Sequence, residues 1–346
     1  MFLYFAYMKA VFYYKNDVVL KEVDMPQVGS EDVLVEMNAC GICGSDIEKV
    51  FGEYSKSSMR LGHEPSGTII KIGDKISEFK IGDRVFVHHH VPCYTCHFCI
   101  NNNETMCPKY EKSNIHPCGL SEIFLVPSWN IKHGGVIKIP DSMTFDQAAM
   151  IEPLACCIRT WKKFSYNKTC SIIVFGAGST GLMHIMLAKN NGINRIMCID
   201  INDFRLSFAE KIGAVTINYN DRKMKEKAVQ YNPDGADIII IATSNQNVFL
   251  EAIDLVRRGG KIVLFGVPPK HTMVNINIST IYSKEISIIT SYAASDYDTQ
   301  DAFHLITNSK MNIDKLITHK YSLSDSKTAL KHARDGKDAI KIMITK

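Results

Sequence analysis

The stretch SIIVFGAGSTG at residues 171–181 decides the fold of at least half of the chain. Its first five residues form a short apolar run, as expected of a strand that is buried on both faces. The glycines that follow have the G-x-G-x-x-G spacing of a strand-to-helix turn that holds a dinucleotide pyrophosphate at the helix N-terminus. The first glycine permits the tight turn, the second lets the phosphates approach, and the third lets helix and strand pack closely. The predicted dinucleotide-binding residues of this turn are Gly176, Gly178, Ser179, Thr180 and Gly181.

An acidic residue ends the next apolar run, RIMCID. Asp200 lies 19 residues after Gly181, where a carboxylate accepts hydrogen bonds from the adenosine ribose. Because a carboxylate there also repels a 2′-phosphate, the sequence favours NAD over NADP. Arg205 lies close enough in sequence to weaken that preference. The alternative is a glycine turn in an α/β sheet that binds no ligand.

Apolar runs continue to alternate with helical or loop segments after this turn. The runs are RIMCID, DIIIIAT, KIVLFGV and EISIIT, and the segment STGLMHIMLAKN places Leu182, Ile185 and Met186 on one helical face. This alternation predicts an α/β class with a doubly wound parallel sheet, the Rossmann arrangement.

The first part of the chain has a different pattern. Residues 8–90 contain short strand-like segments such as AVFYY, DVLVEM, SGTIIKIG and GDRVFVHHH, separated by turns that contain glycine. Such a pattern predicts a barrel or sandwich. Near residue 145 the segment TFDQAAMIEPLACCIRTW is typical of helix.

Composition excludes several classes of protein. The chain has 346 residues, of which 46% are hydrophobic and 22% charged, with a net charge of +4. A nucleic-acid or membrane partner is therefore not expected, and no apolar run reaches the length of a membrane span. The opening MFLYFAY lacks the design of a signal peptide. We expect residues 1–7 to be an extension or an upstream start before a strand that begins at Met8, and a cytoplasmic location.

A cysteine-rich segment, residues about 91–118, follows the strand-like segments. Four of its cysteines are spaced C-x2-C-x2-C-x7-C, which suits a closed tetrahedral zinc site with a structural role. An iron–sulfur cluster is one alternative, because the first three spacings are similar to a ferredoxin run. Unligated thiols are another. The predicted ligands of the structural zinc are Cys93, Cys96, Cys99 and Cys107.

A second candidate metal site draws on three separate motifs. Cys43 lies in CGICGSDIEK, His63 and Glu64 in LGHEPSG, and Glu152 in MIEPLAC. A thiolate, an imidazole and a carboxylate leave one position open on zinc, which is the arrangement of a catalytic ion. Taken singly, each residue also suits a buried cysteine, a core histidine or a surface glutamate.

In their order along the chain these motifs resemble the zinc-containing medium-chain alcohol dehydrogenase family. The resemblance extends from Met8 to the C-terminal KDAIKIMI and is closest to the sorbitol (iditol) and threonine dehydrogenase branch, whose EPLAC motif is present. It implies a GroES-like, β-rich catalytic domain at 1–156, a Rossmann domain at 157–289 and a return segment at 290–346 that completes the catalytic domain. It also implies one catalytic and one structural zinc per chain, and a homodimer or homotetramer.

The resemblance assigns roles to individual side chains. Cys43 and His63 become ligands of the catalytic zinc, with Glu64 or Glu152 as a further ligand. Ser45 takes the place of the hydroxyl that passes the substrate proton toward solvent. The resemblance further makes Asp46 the residue that orients His63, and Glu48 occupies the position where many relatives end the relay with a histidine.

Several positions depart from the family pattern. Cys118 replaces a usual glycine, and TSYAAS at 290–295 lacks the arginine that polyol dehydrogenases often carry. The remaining cysteines (Cys40, Cys156, Cys157, Cys170 and Cys198) are expected to be ordinary buried or half-buried thiols. For the three histidines 88–90 we expect no shared metal site, because a strand sends alternate side chains to opposite faces.

The expected function is hydride transfer from a secondary alcohol of a polyol or sugar to NAD(P). L-threonine 3-dehydrogenase or simple alcohol dehydrogenase activity is the alternative. A non-catalytic zinc- and nucleotide-binding protein is the remote one.

Overall fold

The computed structural model describes residues 7–52, 60–308 and 311–346. The strands of the described residues are β1 Tyr7–Tyr14, β2 Asp17–Asp24, β3 Val33–Gly41, β4 Glu64–Ile72, β5 Arg84–Val87, β6 Ile123–Val126, β7 Val136–Lys138, β8 Ser171–Phe175, β9 Arg195–Asp200, β10 Val215–Asn218, β11 Ala236–Ile241, β12 Val256–Leu264, β13 Ser287–Thr290, β14 Ile317–Ser322 and β15 Lys341–Thr345. The helices are α1 Gly44–Phe51, α2 His97–Ile100, α3 Ser128–Lys132, α4 Phe145–Ala149, α5 Ile151–Lys162, α6 Ser179–Asn190, α7 Asp203–Ile212, α8 Met224–Tyr231, α9 Asn247–Leu255, α10 Ile278–Ser283, α11 Asp296–Thr307 and α12 Ser326–Asp335.

The chain divides into two compact units. Unit 1 comprises the residues up to 155 together with 293–336 and 341–346, and unit 2 comprises 156–292 and 337–340. The sequence analysis placed its boundaries after residues 156 and 289. It did not anticipate the grouping of 337–340 with unit 2.

Unit 2 contains a six-stranded parallel sheet with the order β10-β9-β8-β11-β12-β13. Counted within the unit, this is the 3-2-1-4-5-6 order of a doubly wound fold, as predicted. Ile173, Ile239 and Ile262 lie side by side on three neighbouring strands and are fully buried. The apolar runs of the sequence are therefore explained by burial of the central strands under helices on both faces.

Helix α6 differs from the sequence expectation. An amphipathic helix with Leu182, Ile185 and Met186 on its inner face was predicted, but Met183 and His184 are buried as well and Met186 is only half-buried. Burial around most of the helix hides the one-sided pattern on which the prediction relied.

The glycine turn between β8 and α6 has the backbone that its sequence requires. Gly176 adopts φ 98°, and a β-carbon added there would lie 2.6 Å from the carbonyl oxygen of Ala242. A β-carbon on Gly181 would overlap the carbonyl oxygen of Gly176, whereas one on Gly178 would meet no atom within 4 Å. Two of the glycines therefore serve the fold, and Gly178 leaves open space beside the backbone.

Unit 1 contains a seven-stranded sheet with the order β14-β15-β3-β4-β5-β7, in which β6 also pairs with β3. Only the β14–β15 pair is parallel. The central strand β3 is long and largely buried. Because β14 and β15 come from the end of the chain, the C-terminal segment completes this β-rich unit, and the predicted fold class is confirmed.

The strands β1 and β2 form a hairpin closed by Lys15 and Asn16, both with positive φ (49° and 63°). A two-residue turn with two left-handed residues matches the twist of the strands. Strand β1 begins at Tyr7, which pairs with Asp24, so Tyr7 belongs to the strand and not to the predicted extension. Residues 1–6 of that extension lie outside the described residues. Among the described helices, none is both long and apolar enough to cross a bilayer.

The strand predicted over GDRVFVHHH is shorter than expected. Strand β5 ends at Val87, so residues 88–90 are not extended strand. The argument that their side chains must alternate between faces was therefore wrong.

Replacing Gly181 with alanine is expected to lower the free energy of unfolding by about 1–3 kcal/mol, because the new methyl group overlaps the backbone of Gly176. Denaturant melts of the full chain measure this. Gly178→Ala, which fills open space, is the matched control and should unfold at nearly the wild-type denaturant concentration. Equal loss of stability in both variants would contradict the assignment of these two glycines.

Candidate metal and dinucleotide sites

The four cysteines of the predicted lobe converge. Their sulfur atoms all lie within 4.8 Å of one another, with Sγ–Sγ distances of 3.5 Å for Cys93–Cys107, 3.6 Å for Cys96–Cys99 and 4.0 Å for Cys93–Cys99. A tetrahedral zinc with Zn–S bonds of about 2.3 Å places its sulfurs about 3.8 Å apart. An iron–sulfur cluster needs more room between its cysteines because several metal ions lie among them. The four residues therefore fit one zinc ion.

Backbone amides of the lobe donate hydrogen bonds to one of its sulfur atoms. The amides of Cys93 and Lys109 each donate to Cys107 Sγ at 3.4 Å. Burial opposes ionisation of Cys93, but hydrogen bonds from Thr95 hold its pKa at about 6. Burial and neighbouring thiols raise the pKa of Cys99 to about 12. Zinc binding must therefore release protons from some of these thiols.

The remaining cysteines match the expectation of buried or half-buried thiols: Cys156 is half-buried, and the others are buried, namely Cys40, Cys118, Cys157, Cys170 and Cys198. Cys118, at the position of the usual glycine, is buried and donates to the carbonyl of Val11 at 3.5 Å.

A buried carboxylate organises the second site. Cys43 directly precedes α1, and its amide donates to Asp46 Oδ2 at 3.2 Å. Asp46 Oδ1 accepts from the Gly62 amide at 3.0 Å and lies 3.5 Å from His63 Nδ1. Burial alone would raise the pKa of Asp46, yet His63, Lys49 and the Gly62 amide hold it well below its usual range. Asp46 thereby orients His63, as the resemblance implied.

The Asp46 contact leaves the other imidazole nitrogen facing the candidate ligands. The ligand atoms of Cys43, His63 and Glu64 lie within 4.8 Å of one another. The Ser45 hydroxyl lies 3.4 Å from His63 Nε2, so it borders this set. Burial favours a neutral imidazole, but Asp46 and Cys43 raise the pKa of His63 well above its usual value.

Glu64 is buried against Lys341, a residue that no sequence motif marks. Lys341 Nζ lies 2.5 Å from Glu64 Oε2 and donates to the carbonyl of Ile42 at 3.0 Å. Both side chains are almost fully buried. Burial raises the pKa of Glu64 and the lysine partly offsets this. A β-carbon on Gly41 would overlap Glu64 Oε2, so this glycine makes room for the ion pair.

Glu48 and Glu152 are placed differently from the other candidates. Glu48 lies one turn after Ser45 on α1, and its carboxylate is beside Gly52, where an added β-carbon would overlap Glu48 Oε2. Glu152 lies in the first turn of α5 and is buried. Its ligand oxygen groups with His88 and His89, all within 4.8 Å of one another.

As expected, the three histidines 88–90 do not all converge, but the reason is different from the alternation of a strand. Two of them converge because β5 ends before them, whereas His90 turns away and its Nδ1 lies 2.6 Å from the Ser113 carbonyl oxygen. His88 Nδ1 lies 2.9 Å from Asp296 Oδ1. The second oxygen of Asp296 accepts from the Tyr94 hydroxyl at 2.7 Å. Neither Asp296 nor Tyr94 carried a motif, so only the histidine run gave a signal.

The dinucleotide residues surround the glycine turn of unit 2. Asp200 ends β9, and its carboxylate accepts from the amides of Ala177 at 2.6 Å and Asn202 at 2.8 Å. The carboxylate is therefore fixed beside the turn that would hold the pyrophosphate. Arg205 donates through Nε to the carbonyl of Ala339 at 3.3 Å. Ser179 and Thr180 begin α6, whose N-terminus follows the open space at Gly178.

A doubly wound unit with a dinucleotide turn, joined to a β-rich unit with thiolate, imidazole and carboxylate ligands, defines a zinc-dependent dehydrogenase. Residues 29–141 match the alcohol dehydrogenase GroES-like domain, and residues 179–308 match the zinc-binding dehydrogenase domain. The chain belongs to the zinc-containing medium-chain alcohol dehydrogenase family and is an NAD(P)-linked enzyme.

Individual relatives match over nearly the whole chain. Sorbitol dehydrogenase of Bombyx mori is 29% identical and covers 97% of each chain. D-arabitol-phosphate dehydrogenase of Enterococcus avium is 30% identical over 93% of this chain and 92% of its own. The structure of an alcohol dehydrogenase (rspB) from E. coli CFT073 complexed with NADH has a TM-score of 0.87 at 26% identity, covering 99% of this chain and 100% of that one.

Replacing Cys107 with serine is expected to remove one zinc ion per chain, because a serine hydroxyl stays protonated and cannot replace the thiolate. Elemental analysis after gel filtration measures the ratio. The matched control is Cys170→Ser, since Cys170 lies in unit 2 and its sulfur hydrogen-bonds with Asn167; it should retain the wild-type zinc content. Loss of zinc in the control alone would refute the structural site.

Proposed function

We propose that this enzyme oxidises a secondary alcohol of a polyol or sugar and transfers the hydride to NAD. The observation that carries the proposal is the Cys43, His63 and Glu64 set, in which a carboxylate takes the place of a second thiolate. Oxygen ligands are harder than thiolates and leave zinc more receptive to substrate oxygen. A vicinal diol can offer two such oxygens. The relatives named for sorbitol and arabitol phosphate support the same class of substrate.

The residues of unit 1 supply the proton path in this proposal. When bound, zinc supplies a Lewis acid that lowers the pKa of the substrate hydroxyl. Ser45 Oγ, 3.4 Å from His63 Nε2, accepts the hydroxyl proton and passes it along α1 toward Glu48. The alcohol carbon gives a hydride to the nicotinamide, so the products are a ketone, NADH and one proton.

Asp200 supports NAD rather than NADP as the cofactor. Its buried carboxylate is fixed by two backbone amides beside the glycine turn, where it would repel a 2′-phosphate. Arg205 already donates to a backbone carbonyl, which reduces its availability as a phosphate ligand.

The alternatives share part of this geometry. Threonine or a simple alcohol would use the same metal ligands and the same proton path. The absence of an arginine from 290–295 weakens the specific assignment to sorbitol. A non-catalytic protein would not require the Ser45 hydroxyl to lie 3.4 Å from His63 Nε2. The cytoplasmic location stays a prediction.

We further propose that two copies of the chain pair through the edge of the unit 2 sheet. Among the described strands, β13 pairs only with β12. The segment around it exposes Met273, Ile278, Tyr282 and Ile288, with 89%, 67%, 84% and 41% of their surfaces accessible. An unprotected apolar edge normally has a partner, and two identical edges can pair across a twofold axis. A homotetramer would need a further interface.

NADH formation from NAD is expected to be fastest with one polyol among sorbitol, iditol, xylitol and galactitol, and to stop in a zinc chelator. Glucose, threonine, butanediol and ethanol complete the panel. We expect kcat/KM for the best polyol to exceed that for threonine and ethanol by about 10-fold or more. The proposal is wrong if threonine is preferred or if turnover persists in the chelator with zinc removed.

Cys43→Ala is the companion variant in that assay. It should abolish turnover while NADH binds with unchanged Kd, because Cys43 lies in unit 1 and the glycine turn in unit 2. Full turnover in this variant would remove Cys43 from the mechanism.

Ile288→Lys is expected to convert a dimer into a monomer, because it places a charge on the exposed sheet edge. Light scattering coupled to gel filtration measures the mass. Ile81→Lys changes an isoleucine of unit 1 that is 59% exposed and should leave the mass unchanged. A monomeric wild-type chain would rule out the proposed pairing.

A further inference from the structure

We infer that His88, His89 and Glu152 bind a divalent transition-metal ion of their own, beside the Cys43 set. The three ligand atoms lie within 4.8 Å of one another. Two imidazoles and one carboxylate are a donor set that zinc uses in catalytic sites. This ion would be additional to the structural and catalytic ions already assigned.

The orientation of His88 is the first argument for a metal. Metal-binding histidines commonly donate their second N–H to a carboxylate, which fixes the ring and its tautomer. His88 has this arrangement, with Nδ1 2.9 Å from Asp296 Oδ1. Asp296 is itself held by the Tyr94 hydroxyl. This contact leaves Nε2 of His88 as the ring nitrogen available to a metal.

Buried nitrogens without hydrogen bonds are the second argument. His88 has no accessible surface, and its Nε2 has no hydrogen-bond partner among the described residues. Nδ1 of His89 is buried and likewise makes no hydrogen bond within that part of the chain. Leaving a buried polar atom unpaired is unfavourable, because it has lost its hydrogen bonds to water. A bound cation would use the lone pairs of these nitrogens and remove that cost.

The third argument is that the two ligand sets are separate. Glu64 groups with Cys43 and His63, whereas Glu152 groups with His88 and His89. The sets adjoin, since the rings of His63 and His89 are 5.0 Å apart. Each glutamate therefore has its own pair of neighbouring candidate ligands.

Zinc stoichiometry of the full-length chain tests the inference. The protein is stripped with a chelator, reloaded with Zn²⁺, gel-filtered and measured by elemental analysis. We expect three zinc ions per wild-type chain and two in His88→Gln. His89→Gln should also hold two, and it leaves the Asp296 contact intact if His88→Gln fails to fold. The double variant with both His88→Gln and His89→Gln should also bind two zinc ions, because the two histidines are ligands of the same ion.

The control is His90→Gln, which changes the neighbouring histidine that lies against Ser113 and should retain three ions. Cys43→Ala should hold two ions, and Cys43→Ala with His88→Gln only one. Two ions in the wild type, or an unchanged zinc content in both His88→Gln and His89→Gln, would overturn the inference. If the wild-type chain binds two zinc ions and oxidises a polyol, the proposed function stands and only the third metal site is refuted. If it binds three zinc ions but oxidises no alcohol, only the proposed function is refuted.

Discussion

The buried carboxylate of Asp46 is the constraint on which unit 1 depends. A charge with no access to water must be matched by hydrogen bonds and an opposite charge, and Asp46 finds these in the amides of Cys43 and Gly62 and in His63. These groups belong to two segments that are about 20 residues apart in the sequence. By satisfying Asp46, the fold brings the Cys43 sulfur and the His63 imidazole together before any metal binds. The arrangement of the site is thus a result of ordinary burial energetics.

The same rule accounts for the second buried charge. Glu64 begins β4, one residue after His63, and has no solvent to stabilise its anion, so Lys341 of β15 lies against it. The missing side chain of Gly41 provides the volume that the pair occupies. The C-terminal segment therefore contributes electrostatic compensation to the site in addition to two strands of the sheet. This arrangement explains why a buried lysine begins the largely apolar strand β15.

The features that could be predicted from the sequence are those that depend on neighbouring residues. SIIVF, RIMCID and the glycine spacing involve neighbouring residues, so the parallel sheet and the dinucleotide turn could be predicted. The cysteine spacing likewise fixed the lobe, because its ligands lie within 15 residues. Lys341 and Asp296 could not be found this way, because they reach their partners from the far end of the chain. The convergence of His88 and His89 could not be predicted, because nothing in GDRVFVHHH indicates that β5 ends at Val87.

Asp296 joins the cysteine lobe, through Tyr94, to His88, and it does so from 202 and 208 residues further along the chain. A ribosome therefore completes almost all of unit 2 before it supplies the residues that close unit 1. During that interval the lobe, the central strand β3 and the buried Glu64 have been synthesised without Asp296, Lys341 or β15. Domains generally fold as units during synthesis, so the dinucleotide-binding half can mature first. The metal-binding half gains its last buried partners only after residues 156–292 of the other unit have been synthesised.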